Sequence, residues 1–96
     1  MFHYTGKTAL ITGASSGIGE AFAQILAARG MNLVLVARSA EKLHALAQTF
    51  SEHYGIRAEV IPADLSREGT AHEVYRQTQA LGLSVDLLVN NAGFGT

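Results

Sequence analysis

Thr12-Gly13-Ala14-Ser15-Ser16-Gly17-Ile18-Gly19 is the stretch whose reading decides the fold. An apolar run, Thr8-Ala9-Leu10-Ile11, leads into it, and an amphipathic run from Ile18 to Ala28 leads out. A buried strand therefore stops, turns over glycines and becomes a helix. Glycine lacks a Cβ, so this turn can take positive φ and lie flat against a ligand. The helix presents unpaired N–H groups and the positive end of its dipole to whatever rests on the loop. Such a turn is a phosphate site made of backbone. Gly13, Gly17 and Gly19 are spaced G-x-x-x-G-x-G. The common fingerprint is G-x-G-x-x-G, and here Phe22 stands where its third glycine would fall. A Walker loop is excluded, because no Gly-Lys-Ser/Thr follows. The plainer alternative is a glycine turn with no ligand; the flanking strand and helix weigh against it.

Outward from this loop, strands are expected to begin near Lys7, Asn32, Arg57 and Val85, at spacings of 25, 25 and 28 residues. Helical patterns fill the gaps. The first helix is read with Ile18, Phe22, Ile25 and Leu26 inward and Ala21 between them, and with Gly30 closing it after Arg29. Leu33-Val34-Leu35-Val36 lacks alternation, which suits a strand covered on both faces. Ser39 is the expected cap of a second helix carrying Leu43, Leu46, Ala47 and Phe50 on one stripe and ending at Gly55. Ala58 to Ile61 reads as a third strand, ended by Pro62, the only proline. Ser66 is expected to cap a third helix, with Ala71, Val74, Tyr75 and Thr78 inward and Gly82 at its end. Val85 to Asn90 is the fourth strand, followed by the turn Asn91-Ala92-Gly93. Strands alternating with helices imply parallel pairing through right-handed crossovers. The fourth strand must return beside the first, giving an α/β fold with sheet order 3-2-1-4. The glycine loop and Asn90-Asn91-Ala92-Gly93 then meet where the strand order reverses, the crevice that binds ligands in open sheets.

Composition narrows the partners. The chain has 96 residues, 48% of them hydrophobic, and a net charge of −1. That is one domain at most, and no basic block points to nucleic acid or an anionic membrane. There is no cysteine, so disulfide and thiolate chemistry are out, which suits a cytoplasmic location. The N-terminal segment does not read as a signal peptide, and no apolar run is long enough to span a membrane. His3, His44, His53 and His72 do not fall at metal-ligand spacing, so no metal site is expected. Tyr4, Tyr54 and Tyr75 have no lysine four residues on, so no activated phenol is found.

Several residues carry possible chemistry. Nineteen residues after Gly19, at the end of the second strand, stands Arg38 and not a carboxylate. A carboxylate there accepts from the ribose 2′-hydroxyl of NAD. A guanidinium is instead a donor fork suited to a 2′-phosphate, so NADP is favoured over NAD. The alternative is a solvated surface charge. Asp64, after the third strand, can accept from the exocyclic amine of adenine while the Leu65 N–H donates to a ring nitrogen. Asp64 can equally form a turn with Ser66. The Ser15 and Ser16 hydroxyls can add to phosphate contacts, or one can cap the first helix. Asn90 is expected to brace the glycine loop by side-chain bonds to its backbone, and Gly93 to keep side chains off the cofactor.

These residues together resemble the classical short-chain dehydrogenase/reductases: Thr12 to Gly19, Arg38, Asp64-Leu65 and Asn90-Asn91-Ala92-Gly93, in order and at family spacing. The resemblance implies a three-layer Rossmann-type fold and NADP(H). It assigns Gly13, Ser15, Gly17, Ile18 and Gly19 to the pyrophosphate and nearby ribose, and Arg38 to the 2′-phosphate. It assigns Asp64 and Leu65 to adenine, and Asn90, Asn91, Ala92 and Gly93 to the adenine-side ribose and loop support. Family members are well over twice this length, and their catalytic Ser and Tyr-x-x-x-Lys follow the Asn-Asn-Ala-Gly segment. Residues 1–96 are therefore expected to be the NADP-binding half of an oxidoreductase domain, without catalytic residues and inactive alone. The alternative is a stand-alone, non-catalytic dinucleotide-binding or assembly module. A fourth strand without a fifth beside it leaves a bare edge, so self-association through Val85 to Asn90 is expected.

Overall fold

The computed structural model describes residues 3–14 and 16–91. Among them the chain runs β1 (Thr8–Thr12), α1 (Gly17–Ala28), β2 (Asn32–Ala37), α2 (Ala40–Tyr54), β3 (Ala58–Pro62), α3 (Thr70–Ala80) and β4 (Leu87–Asn90). The sheet order is β3-β2-β1-β4, with every pairing parallel. Leu10 lies opposite Val34 on one side and Leu88 on the other. The expected α/β architecture and the 3-2-1-4 order are what the chain adopts.

Successive side chains of a strand face opposite ways, and here both faces are packed. Ala9, Ile11, Leu33, Leu35 and Ala37 join Ala23, Leu26 and Ala27 of α1 and Leu43, Ala47 and Phe50 of α2. Leu10, Val34, Val36 and Ile61 face the other way and meet Val74 of α3 and Leu83. Helices on both faces explain why the central strands read as unbroken apolar runs. β3 closes one edge, where Pro62 costs no ladder bond to an outer neighbour.

Three local expectations are corrected. In α1 the inward residues are Gly19, Ala23, Leu26 and Ala27, whereas Ile18, Phe22 and Ile25 are 61%, 45% and 52% exposed. Small residues face inward because α1 approaches the glycine loop closely. A Cβ on Gly19 would come within 2.3 Å of the Gly13 carbonyl oxygen. The helix turns its least bulky face to the sheet, not its most hydrophobic one. In the third helical region, α3 begins at Thr70 after Gly69, and Ser66 does not cap it. Ser66 is held by Asp64 instead. Only Val74 and Thr78 of the expected stripe are buried; Ala71 and Tyr75 are exposed. Ser39 does stand at the N-cap of α2, without a side-chain capping bond, and Gly55 closes that helix at φ +69°. The fourth strand begins at Leu87, not Val85. Asp86 replaces a ladder step: its N–H donates to the Thr8 carbonyl at 2.9 Å, and its Oδ2 accepts the Thr8 N–H at 2.9 Å.

Candidate nucleotide-binding site

The site is built where β1 and β4 end side by side. Gly13 leaves β1 at φ +63°, a conformation that suits glycine. This turns its carbonyl back under the loop. There it accepts the Ser16 N–H at 3.1 Å, the Ser16 hydroxyl at 2.9 Å and the Asn91 side-chain amide at 3.2 Å. The Ala14 N–H donates across to the Val36 carbonyl at 3.2 Å, tying the loop to β2.

Ser16 is the N-cap of α1. Its Oγ accepts the Gly19 N–H at 3.2 Å, and its carbonyl accepts the Glu20 N–H at 2.9 Å. The Glu20 bond is the first of the helix ladder; of the four orphan donors of a helix start, those of Ser16 and Gly19 are satisfied, by the Gly13 carbonyl and by Ser16 Oγ. The N–H groups of Gly17 and Ile18 have no partner among the described residues, and both residues line the cleft beside the loop. A Cβ placed on Gly17 meets nothing within 4 Å. Gly19 is therefore required by the chain's own backbone, whereas Gly17 borders open space.

The end of β4 braces this loop, through Asn91 and not through Asn90. Asn91 is buried; its Nδ2 donates to the Gly13 carbonyl and, at 2.7 Å, to Ser16 Oγ. Its backbone N–H donates to Thr12 Oγ1 at 2.9 Å. Asn90 is exposed, and among the described residues its side chain accepts the Thr12 hydroxyl, at 3.1 Å. Strand alternation turns neighbouring side chains to opposite sides, so a one-residue step decides which asparagine reaches the loop. Thr12 also contributes, a role the sequence reading does not assign to it. Its signal is a hydroxyl on the last, buried position of an apolar strand, where some partner is required.

Gly13, Ser16, Gly17, Ile18, Arg38, Asp64, Leu65, Asn90 and Asn91 line one cleft of about 1240 Å³. Gly19 lies buried beneath the loop. Ser15, Ala92 and Gly93 fall outside the described residues. Arg38 is exposed at the rim after β2. Asp64 serves the turn: its Oδ1 accepts the Ser66 hydroxyl at 2.5 Å and the Ser66 N–H at 3.0 Å. The Ser66 hydroxyl, then the Ser66 N–H, hold the Asp64 carboxyl below its ordinary 3.8, with the charges of Arg38 and Arg67 adding to the effect. Ser39, Tyr75 and Leu88 also line the cleft; the sequence pattern marks Ser39 as a helix cap and Tyr75 as an inward helix residue, and none of the three as part of a site. Among the described residues no cluster could hold a metal ion, and no helix is long and apolar enough to cross a membrane.

The model of a family described as short chain dehydrogenase matches residues 7–96. The chain is 43% identical over 90 residues to a very-long-chain 3-oxoacyl-CoA reductase of Anas platyrhynchos, covering 92% of this chain and 28% of that one. Among solved structures it is similar to L-sorbose reductase from Gluconobacter frateurii complexed with NADPH and L-sorbose. That match has 39% identity and a TM-score of 0.88, over 96% of this chain and 35% of the other. It is also similar to a short-chain dehydrogenase from Sphingobium yanoikuyae in complex with NADPH, at 40% identity and a TM-score of 0.80, over 94% and 35%. The chain thus spans about a third of the length of the proteins it matches.

Proposed function

Since the chain belongs to the short-chain dehydrogenase family, we propose that it forms the NADP(H)-binding part of an oxidoreductase. The parent reaction is hydride transfer between nicotinamide and a carbonyl or alcohol. The observation that carries this reading is the pair of N–H groups, Gly17 and Ile18, that have no partner among the described residues and stand beside open space at the start of α1. An anion is what such donors and the helix dipole attract. Arg38 on the rim of the same cleft fits a second, 2′-linked phosphate. NADP(H) complexes among the similar structures support the choice of cofactor.

In this reading Gly13, Ser15, Gly17, Ile18 and Gly19 frame the pyrophosphate and its ribose. Arg38 holds the 2′-phosphate, Asp64 and Leu65 meet adenine, and Asn90 to Gly93 flank the adenine-side ribose. When bound, the dinucleotide supplies the hydride. These 96 residues supply no tyrosine with a lysine four residues on, so they bind and orient but do not protonate a carbonyl. Residues 1–96 are then the cofactor-binding part of a longer domain, inactive by themselves and cytoplasmic. Nucleic acid and membranes are not partners. Self-association runs through β4, whose Leu88 is 60% exposed on the strand that ends the sheet. The alternative role, a non-catalytic dinucleotide or assembly module, shares the cofactor and lacks the reaction.

NADPH fluorescence titration tests the reading, helped by the absence of tryptophan. The expected outcome is saturable binding, weaker for NADH, with no carbonyl reduction by this chain. Absence of binding to either dinucleotide refutes it. Carbonyl reduction on adding the remainder of the domain separates the oxidoreductase from the non-catalytic module.

A further inference from the structure

We propose that the Ser16 hydroxyl is a positioning group, relaying the end of β4 to the start of α1, and not a ligand of phosphate. The inference rests on the nucleotide reading above for its binding consequences. A serine hydroxyl has one proton to give and two lone pairs. All three capacities are used inside the chain. The proton goes to the Gly13 carbonyl at 2.9 Å; the lone pairs take the Asn91 side-chain amide at 2.7 Å and the Gly19 N–H at 3.2 Å. A phosphate oxygen needs a donor, and Ser16 has no proton left for it.

Asn91 is fixed from its other side, because its own N–H donates to Thr12 Oγ1 at 2.9 Å. Its amide can be placed only one way round. The reverse would set Oδ1 against the Gly13 carbonyl, two acceptors facing each other. The bonds therefore run Thr12, Asn91, Ser16, Gly19, joining groups 75 residues apart in sequence. By taking the Gly19 N–H, Ser16 leaves those of Gly17 and Ile18 as the donors at the loop. Asn91 steadies the atom that does this.

The test is a double-mutant cycle with Ser16→Ala and Asn91→Ala in the full chain, read by NADPH titration. Each single change is expected to weaken binding about tenfold, the loss of one organising bond. The double variant is expected to fall no more than about twofold below the weaker single, because both break one relay. Ser16→Thr, which keeps the hydroxyl, is expected to bind within about threefold of the original. Additive losses, about a hundredfold in the double variant, overturn the relay and make Ser16 a direct ligand. A ligand-free arm measures amide exchange at Gly19. Both single variants should speed it, and an unchanged rate in Asn91→Ala overturns the relay. If the unaltered chain binds no NADPH, the nucleotide reading fails, and the exchange arm still decides the role of Ser16.

Discussion

Gly17 and Gly19 stand two residues apart at the start of one helix, yet alanine at each should do opposite things. At Gly19 a Cβ would lie 2.3 Å from the Gly13 oxygen, 2.9 Å from Ala14 Cα and 3.0 Å from the Gly13 carbonyl carbon. All three atoms are backbone, so none can swing aside. Overpacking of this kind costs about 1–3 kcal/mol and sometimes more. The better helix propensity of alanine offsets up to about 1 kcal/mol. A net loss of about 1–2 kcal/mol corresponds to roughly 4–16 °C in melting temperature for a domain of this size. Displacing Gly13 also strains the carbonyl that three donors share, so binding should fall with stability. At Gly17 the Cβ meets nothing. Gly17→Ala should therefore melt at or slightly above the original temperature, while NADPH binding falls about tenfold or more because the methyl group occupies the cleft. Thermal unfolding followed by circular dichroism, paired with NADPH titration, measures both quantities. If Gly19→Ala melts no lower than the original chain, the close-approach argument is wrong. If Gly17→Ala loses stability but keeps affinity, the space beside it is not where the ligand sits.

The remaining expectations are simpler. Arg38→Ala should weaken NADPH by about 10–100-fold, the worth of a lost charge-assisted contact, and leave NADH nearly unchanged; parallel titrations decide, and equal losses remove Arg38 from the 2′-phosphate role. Ser66→Ala should raise the Asp64 pKa toward 3.8, because the serine contacts are the main cause of its depression. A folded-state pKa below the unfolded one means that the stabilisation is complete above the unfolded value and is lost as pH falls through the folded value. The difference between Ser66→Ala and the original chain should therefore persist at neutral pH and shrink below about pH 4. An NMR titration of the Asp64 carboxyl that shows no upward shift in Ser66→Ala counts against this assignment. Leu88→Lys, placing a charge on the terminal strand, should shift the chain toward monomer in sedimentation; an unchanged profile places any association elsewhere.

Sequence and structure divide along a physical line. Periodicity and glycine placement are local, and they carried the alternation of strands and helices, the loop between β1 and α1, and the left-handed end of α2 at Gly55. The handedness of parallel crossovers is general, so the strand order could also be reasoned out without coordinates. Other questions had no local answer. Ile18, Phe22 and Ile25 looked like the buried stripe of α1, but the distance between helix and loop selected Gly19 and Ala23 instead. Ser66 looked like a helix cap, until the carboxylate two residues before it took both its donors. Asn90 and Asn91 are the same residue type, and only the register of β4 against β1 decides which one reaches Gly13. The chain by itself thus determined which segments form and in what order they lie. The packed structure decided which atoms meet, because that choice turns on distances between segments far apart in sequence.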